Sequence, residues 1–117
     1  MQRLFLFLTM EKKIIKTSAA PDPIGPYSQA VVAGNTLYIS GQVAINPATG
    51  NVEANGVAEE TRQVMKNLQA ILTEAGTGFQ SIIKTTIFLS DMSLFASVNE
   101  VYGSYFSSDF RPVKRWR

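Results

Sequence analysis

The spacing of apolar residues changes several times along this chain, and each change indicates a different secondary structure. Residues 12–16 form a short run typical of a strand, and residues 30–40 contain two β-rich runs on either side of Gly34-Asn35. This pair of residues can adopt positive φ, so the pattern predicts a β-hairpin. The segment between them, "TSAAPDPIGPYSQ", contains three prolines, which exclude both a helix and a central strand. It is therefore predicted to be an ordered loop.

The clearest helical pattern is "NGVAEETRQVMKNLQAILTEAG", residues 55–76. Its apolar residues recur at three- and four-residue spacing; they are Val64, Leu68, Ile71, Leu72 and Ala75. The polar residues on the predicted opposite face are Glu60, Lys66, Asn67 and Glu74. Glu59 and Glu60 would lie near the positive end of the helix dipole, and Gly76 is a suitable terminator.

A second strand–helix unit follows. The run "IIKTTIFLS" is β-branched and apolar at its centre, which predicts a strand at 83–90 buried on both faces. Asp91 is a candidate N-cap for a second helix. One face of that helix would carry Phe95, Val98, Tyr102 and Tyr105. The order β-ββ-α-β-α predicts an α+β domain with two helices on one face of a sheet. Nothing after the second helix is predicted to pair with the strand at 83–90, so closing strands are expected to be missing.

Composition narrows the possible chemistry. The 117 residues are 45% hydrophobic, which is enough for one globular domain. The sequence has no Cys and no His, so it excludes disulfides, thiolate nucleophiles, histidine acid–base catalysis and the usual zinc ligand sets. A metal site of the usual zinc kind is therefore not expected. Carboxylate, hydroxyl, amide, arginine and backbone groups remain.

The N-terminal segment "MQRLFLFLTMEKKIIK" imitates a signal peptide, but its apolar run is shorter than the ~7–15 residues of such a peptide and no cleavage site follows. It is also too short to span a bilayer. We interpret residues 1–11 as an N-terminal extension that comes from an upstream start, with Met10 as the natural start; the alternative is a disordered apolar tail. We expect a cytoplasmic protein that does not bind a membrane.

The last residues, "DFRPVKRWR", carry an unusual concentration of positive charge. Arg111, Lys114, Arg115 and Arg117 contribute +4 to a net charge of +2, so the remainder of the chain carries −2. Such a tail can bind phosphates or a membrane surface. We do not favour either partner, because a simpler origin for these residues is described below.

Three polar positions lie beside glycine or among apolar residues and are candidate site residues. For each of them, a purely structural role is the alternative interpretation. Tyr27 follows the rigid Gly25-Pro26 corner, and could be a hydrogen-bonded core tyrosine instead of a site residue. Ser40 and Gly41 end the hairpin, and could form only a turn. Asn99 lies on the second predicted helix and could be merely solvated.

The segments that contain these residues indicate a function more specifically together than each does alone. "IGPYSQAVVAGNTLYISGQVAINPATG", one amphipathic helix, "IIKTTIFLSDMSLFASVNEVYGSYF" and a final "DF" resemble the Rid, or YjgF, family of enamine/imine deaminases over residues 12–110. The resemblance implies a chorismate-mutase-like α+β fold and a homotrimer with clefts between subunits. It also implies hydrolysis of 2-aminoacrylate-type enamines and imines, which are small-molecule substrates, to 2-oxo acids and ammonia. No cofactor is implied.

The resemblance also suggests roles for the polar positions. Tyr27 would line the substrate cleft, Ser40 and the Gly41 amide would face the ligand, and Asn99 would form a polar wall. The family has two further functional residues after the position of Phe110: an arginine that binds the substrate carboxylate and a glutamate on the last strand that positions water. This sequence has neither residue at a matching position.

A shift of reading frame accounts for that departure. Residues 110–117 can be encoded as TTC CGG CCC GTG AAA CGG TGG CGG, and one T inserted in the first codon gives Phe-Pro-Ala-Arg-Glu-Thr-Val-Ala. That sequence is like the family's own ending. We therefore interpret residues 111–117 as a frameshifted basic tail, expect the chain to be impaired, and expect no nucleic-acid partner.

Three alternatives stay open. A non-catalytic Rid-like trimer could bind small metabolites through Tyr27 and Ser40. A chorismate mutase would share the fold, although the Gly-Pro-Tyr segment argues against it. A ribonuclease activity has also been attached to the family, but it would be surprising in a sequence without histidine.

Overall fold

The computed structural model describes residues 11–53 and 55–117. The predicted extension, residues 1–11, therefore lies outside the described residues except for Glu11. Five strands and two α-helices occur in the described part. In chain order they are β1 (Lys12–Ile15), β2 (Ala30–Ala33), β3 (Thr36–Ile39), α1 (Val57–Glu74), β4 (Lys84–Ile87), α2 (Phe95–Gly103) and β5 (Val113–Trp116).

The first three strands form an antiparallel sheet in the order β1-β2-β3. Its hairpin pairs Ala33 with Thr36, so only Gly34 and Asn35 form the turn, as the sequence predicts. Gly34 has φ of 62°, a left-handed conformation that side chains other than glycine and asparagine rarely adopt. The hairpin prediction is confirmed.

The last two strands form a second sheet, in which β4 and β5 are parallel and Lys84 lies opposite Val113. The expectation that nothing after the second helix pairs with the strand at 83–90 is wrong, because residues 113–116 do so. Their side chains alternate: Lys114 and Trp116 are half-buried, whereas Val113 and Arg115 are exposed. The Trp116 and Phe95 ring centroids lie 4.4 Å apart, so the basic segment is anchored on α2.

The burial of β4 also differs from the prediction. The sequence predicts that it is buried on both faces. However, the residues directly before and after it, Ile83 and Phe88, are 77% and 75% exposed. One face of β4 packs towards α2, where the Thr85 and Tyr102 hydroxyls lie 2.7 Å apart. No described residue covers the other face, so the apolar character of the strand does not correspond to burial in this chain.

Both helices contribute to the core and pack against each other. One cluster joins α1 to the first sheet through Ile71, Ile15 and Ala30, and a second joins the two helices through Met65, Tyr102 and Phe106. The prediction that Gly76 terminates the first helix is confirmed, because Gly76 follows α1 with φ of 82°. Asp91 does not cap α2 itself, whose N-cap is Leu94; its carboxylate accepts a hydrogen bond from Ser93 N–H at 2.8 Å and caps the short 3₁₀ turn that leads into α2. Neither described helix combines the length and the apolarity that crossing a bilayer requires.

Candidate active site

The proline-rich loop owes its shape to Gln29, a residue that the sequence analysis did not single out. Gln29 is 3% exposed. Its amide nitrogen donates to the carbonyl oxygens of Thr17, Ala20 and Pro21, at 3.0, 3.2 and 2.9 Å, and its amide oxygen accepts from Thr17 N–H at 2.7 Å. One buried side chain therefore satisfies four backbone groups of a segment whose prolines prevent it from pairing as a strand. The only signal in the sequence was a lone amide before an apolar strand.

Tyr27 lies two residues before Gln29, at the surface of this loop. Its backbone N–H donates to Gly25 C=O at 2.8 Å, which closes a tight turn, and its hydroxyl accepts from Ile24 N–H at 3.3 Å. A Cβ atom added at Gly25 would lie 3.4 Å from the Tyr27 ring, so the ring rests against the glycine. The side chain is 50% exposed, which rules out the alternative of a core tyrosine in this chain.

Ser40 connects the end of β3 to the same loop. Its hydroxyl donates to Ser28 C=O at 2.6 Å, and its backbone N–H donates to Gln29 C=O at 3.0 Å. Gly41 follows with no atom within 4 Å of a Cβ placed on it, so its backbone is open to an approaching ligand. Ser28 thus brings Tyr27 and the Ser40-Gly41 pair into one corner of the molecule.

Asn67 supports the segment that continues from this corner. The sequence analysis placed Asn67 on the polar face of the first helix, and that placement is wrong, because the residue is fully buried. Its amide nitrogen donates to Val43 C=O at 3.1 Å and Ile45 C=O at 3.0 Å, and its oxygen accepts from Gln63 at 2.9 Å. A buried amide is stable there because each of its polar groups has a partner.

Asn99 is half-buried, so the alternative interpretation, in which it is merely solvated, does not hold in this chain. Its side-chain oxygen accepts a hydrogen bond from the Lys114 ammonium group of β5. That ammonium group also lies 4.9 Å from the Tyr102 ring centroid and 4.8 Å from the Trp116 ring centroid. Burial, and to a lesser degree the positive charge of Arg111, lower the pKa of Lys114. Asn99 is thus engaged with the basic segment.

A wide groove of about 1580 Å³ begins at the Ser40-Gly41 corner and runs between β3 and β4. Ser40, Gly41 and Gln42 line it, whereas Tyr27 and Asn99 do not. Of the four predicted site residues, Ser40 and Gly41 therefore line the groove, Tyr27 adjoins them only through the hydrogen bond between Ser40 and its neighbour Ser28, and Asn99 lies in a separate cluster. Within residues 11–53 and 55–117, no three acidic side chains are close enough to hold a metal ion.

Comparisons with known proteins agree on one family. The family described as Endoribonuclease L-PSP matches residues 17–116. A human protein named 2-iminobutanoate/2-iminopropanoate deaminase is 48% identical over 99 residues, which cover 85% of this chain and 72% of that protein. A RutC family protein of Pyrococcus horikoshii is 50% identical over 95 residues, 81% of this chain and 75% of that protein.

Solved structures give the same result. The crystal structure of YyfA from Yersinia pestis, described as a member of the conserved Rid protein family, superposes with a TM-score of 0.88 at 43% identity, covering 92% of this chain and 85% of that chain. TdcF of E. coli with bound serine superposes with a TM-score of 0.83 at 38% identity, covering 90% of this chain and 84% of that one. These superpositions confirm the α+β fold that the sequence predicts.

Proposed function

Because this chain belongs to the Rid (YjgF) family, the Endoribonuclease L-PSP family of the sequence match, we propose that it is a deaminase of 2-aminoacrylate-type enamines and imines. The observation that carries this proposal is the 48% identity to the human 2-iminobutanoate/2-iminopropanoate deaminase over 85% of the chain. The reaction adds water to the C=N carbon of the imine and releases ammonia, which leaves a 2-oxo acid. It needs neither an oxidant nor a nucleophilic side chain.

The Tyr27/Ser40 corner suits such a reaction. An imine is already electrophilic, so a protein accelerates hydrolysis by holding the substrate, orienting water and stabilising developing charge. Tyr27 offers a half-exposed hydroxyl on a loop fixed by Gln29, and Gly41 offers an open backbone. We assign Tyr27 to substrate positioning, the Ser40-Gly41 backbone to ligand binding, and Asn99 to a polar wall.

The proposal also covers the oligomeric state of the protein and its division into segments. The full-length protein would be a homotrimer located in the cytoplasm, with the substrate clefts between its subunits. Two exposed apolar residues outside the frameshifted segment, Ile83 and Phe88, are suited to contacts between subunits. We also keep the domain division proposed from the sequence: an extension over residues 1–11, a Rid-like domain over 12–110, and a frameshifted segment over 111–117.

The frameshift leads to an impaired enzyme. In the shifted frame an arginine falls at position 113, where this chain has Val113. Arg111 occupies an exposed position before β5, and Lys114 faces Asn99, so neither replaces that arginine directly. A charge-assisted contact to a carboxylate contributes about 1.5–3 kcal/mol, so its loss lowers the rate by roughly one to two decades.

The test compares pyruvate formation from 2-aminoacrylate by two gene products: the chain as given, and the product of a gene with one base inserted in the Phe110 codon and read onward in that frame. We expect the second protein to be faster by at least about tenfold. Equal activity of both proteins would overturn the assignment of the arginine, and no activity in either would overturn the deaminase proposal.

The same assay tests the site. In the more active protein, Tyr27→Phe should reduce the rate with little change in the unfolding midpoint, because the side chain is half exposed and its hydroxyl makes only a 3.3 Å contact. Tyr38→Phe is the matched control, since Tyr38 is a 64% exposed tyrosine on β3. If Tyr27→Phe lowers stability but leaves the specific activity unchanged, Tyr27 is structural.

A further inference from the structure

Lys114 differs from the other lysines of the chain in its surroundings. The others are all exposed; they are Lys12, Lys13, Lys16, Lys66 and Lys84. Lys114 is half-buried on the face of β5 that packs on α2. Its ammonium group donates a hydrogen bond to the Asn99 side-chain oxygen and lies over the rings of Tyr102 and Trp116. These contacts hold the amine in one place, whereas the end of an exposed lysine moves freely in water.

No acid of the described chain balances the charge of this amine. Among residues 11–53 and 55–117, the single ion pair joins Arg62 to Glu59. The charged group that acts on Lys114 is Arg111, and it is also positive. Burial, and then this charge, disfavour the ammonium form and lower the pKa of Lys114. The two rings reduce this effect, because a ring face attracts a cation.

A lysine in such surroundings is suited to act as a nucleophile. The neutral amine is the form that attacks a carbonyl carbon, and loss of water or a neighbouring cation increases the share of that form in lysines that form Schiff bases. Asn99 accepts an N–H hydrogen bond from the charged and the neutral amine alike, so it can keep the nitrogen in place while the lone pair reacts. Because Lys114 is only half-buried, a small molecule can reach it from water.

The charges around the amine indicate the kind of carbonyl compound. Arg111 is close enough for its charge to act on Lys114, and no carboxylate of the described chain pairs with either residue. A carbonyl compound that carries its own negative charge is therefore attracted to this position, whereas a neutral one is not. In a 2-oxo acid the carboxylate is attached directly to the carbonyl carbon, so both groups lie within one small molecule. We propose that the Lys114 amino group condenses with small 2-oxo acids to form an imine, and that Arg111 attracts the carboxylate of the acid.

The condensation needs no oxidant or reductant. The lysine nitrogen forms a bond to the carbonyl carbon, and the carbon–oxygen bond then breaks. The oxygen leaves as water with two of the three protons of the original ammonium group, and the protonated imine keeps the third proton and the positive charge. This reaction goes beyond the proposed deaminase activity, in which a 2-oxo acid is the released product and never becomes attached to the protein.

The experiment incubates the purified 117-residue chain with pyruvate and sodium cyanoborohydride, which reduces an imine to a stable secondary amine. Cleavage before aspartate then releases residues 109–117, a peptide in which Lys114 is the only lysine. We expect mass spectrometry to show labelling of Lys114 about fivefold or more faster than that of Lys84, the exposed lysine of the paired strand. The N-terminal amine is measured in its own peptide and does not enter this comparison. Equal labelling of Lys114 and Lys84, or no labelling of Lys114, would overturn the proposal.

The same labelling in urea tests whether the fold is the cause. In the unfolded chain β5 no longer packs on α2, so the preference for Lys114 should disappear. A preference that persists in urea would come from the neighbouring sequence alone, and would overturn the inference from the structure. Because pyruvate is added directly, the result does not depend on turnover and is separate from success or failure of the deaminase assay.

Two variants and a second probe test the role of Arg111. Arg111→Gln removes an exposed charge and should slow the labelling of Lys114 by about twofold or more, because the ammonium form is then less disfavoured and the carboxylate less attracted. Arg115→Gln is the matched control on the exposed face of β5 and should have a smaller effect. Pyruvamide, the uncharged amide of pyruvate, should label Lys114 more slowly than pyruvate does. Equal labelling in the two variants, or by the two probes, would overturn the role of Arg111.

Discussion

Neither the proline-rich loop of residues 17–29 nor the basic strand β5 has a composition typical of an ordered segment. The two are nevertheless ordered, and they are stabilised by different kinds of contact. The loop is fixed by a buried polar side chain, Gln29, with four hydrogen bonds to backbone groups. Strand β5 is fixed by backbone pairing with β4 and by half-exposed side chains, Lys114 and Trp116, against α2. The comparison shows that hydrogen-bond satisfaction rather than residue polarity decides which segments are ordered.

The difference predicts unequal sensitivity to mutation. Replacing a buried group that satisfies several partners leaves those partners without hydrogen bonds in a place that water reaches only in part. Replacing a half-exposed side chain loses packing area, but water can compensate for its polar contacts. The loop should therefore be the more fragile of the two regions, although its sequence is less regular.

The largest effect is expected for Gln29→Leu. Leucine has a similar size but no amide, so the N–H of Thr17 and the carbonyls of Thr17, Ala20 and Pro21 lose their partner. We expect the free energy of unfolding in urea to fall by about 3 kcal/mol. The matched control is Gln69→Leu on the exposed side of α1, which should change it by less than about 0.5 kcal/mol. Equal effects of both variants would show that the loop does not depend on Gln29.

The position of Gln29 explains part of what sequence reasoning missed. Its partners, like most of those of Asn67, are backbone groups outside its own secondary-structure element, and no periodicity of the local sequence reveals them. Amide side chains are usually exposed, so the helical pattern placed Asn67 on the polar face. In contrast, local signals were sufficient for the Gly34-Asn35 hairpin, the end of α1 at Gly76 and the cap at Asp91.

Strand β5 was missed for a different reason. A parallel pair joins segments far apart in the chain, here residues 84–87 and 113–116, and four positive charges in seven residues are typical of a solvated tail. The alternation of half-buried and exposed positions from Val113 to Trp116 was present but short. For the site, the order of the Gly-Pro-Tyr and Ser-Gly-Gln segments was informative, whereas the pairing of Asn99 with Lys114 depends on β5 and was not predictable without it.

An intermediate effect is expected for Trp116→Ala, which tests whether β5 is part of the stable fold. The substitution removes the ring that packs on Phe95 at 4.4 Å and one of the two rings near the Lys114 ammonium group. We expect the free energy of unfolding to fall by about 2 kcal/mol. Arg115→Ala is the control on the exposed face of the same strand. If the two variants are equally stable, the basic segment is not anchored on α2, and the comparison with the loop fails.

The smallest effect concerns Asp91, an exposed polar group that precedes α2 and lies outside both regions. Hydrogen bonds from the Ser93 backbone N–H, and then from the Ser93 side chain, lower the pKa of Asp91 below its ordinary value of 3.8. A carboxyl group whose pKa is lowered in the folded state stabilises that state above the unfolded pKa, and this contribution is lost as the pH falls through the folded pKa. Asp91→Asn keeps an acceptor that does not titrate. Thermal unfolding of the two proteins, followed from neutral pH downward to well below 3.8, should therefore show a small advantage for Asp91 that disappears in acid. An advantage that persists in acid would mean that it does not come from the charge of Asp91. No advantage at either pH would mean that the cap depends only on an oxygen acceptor at this position.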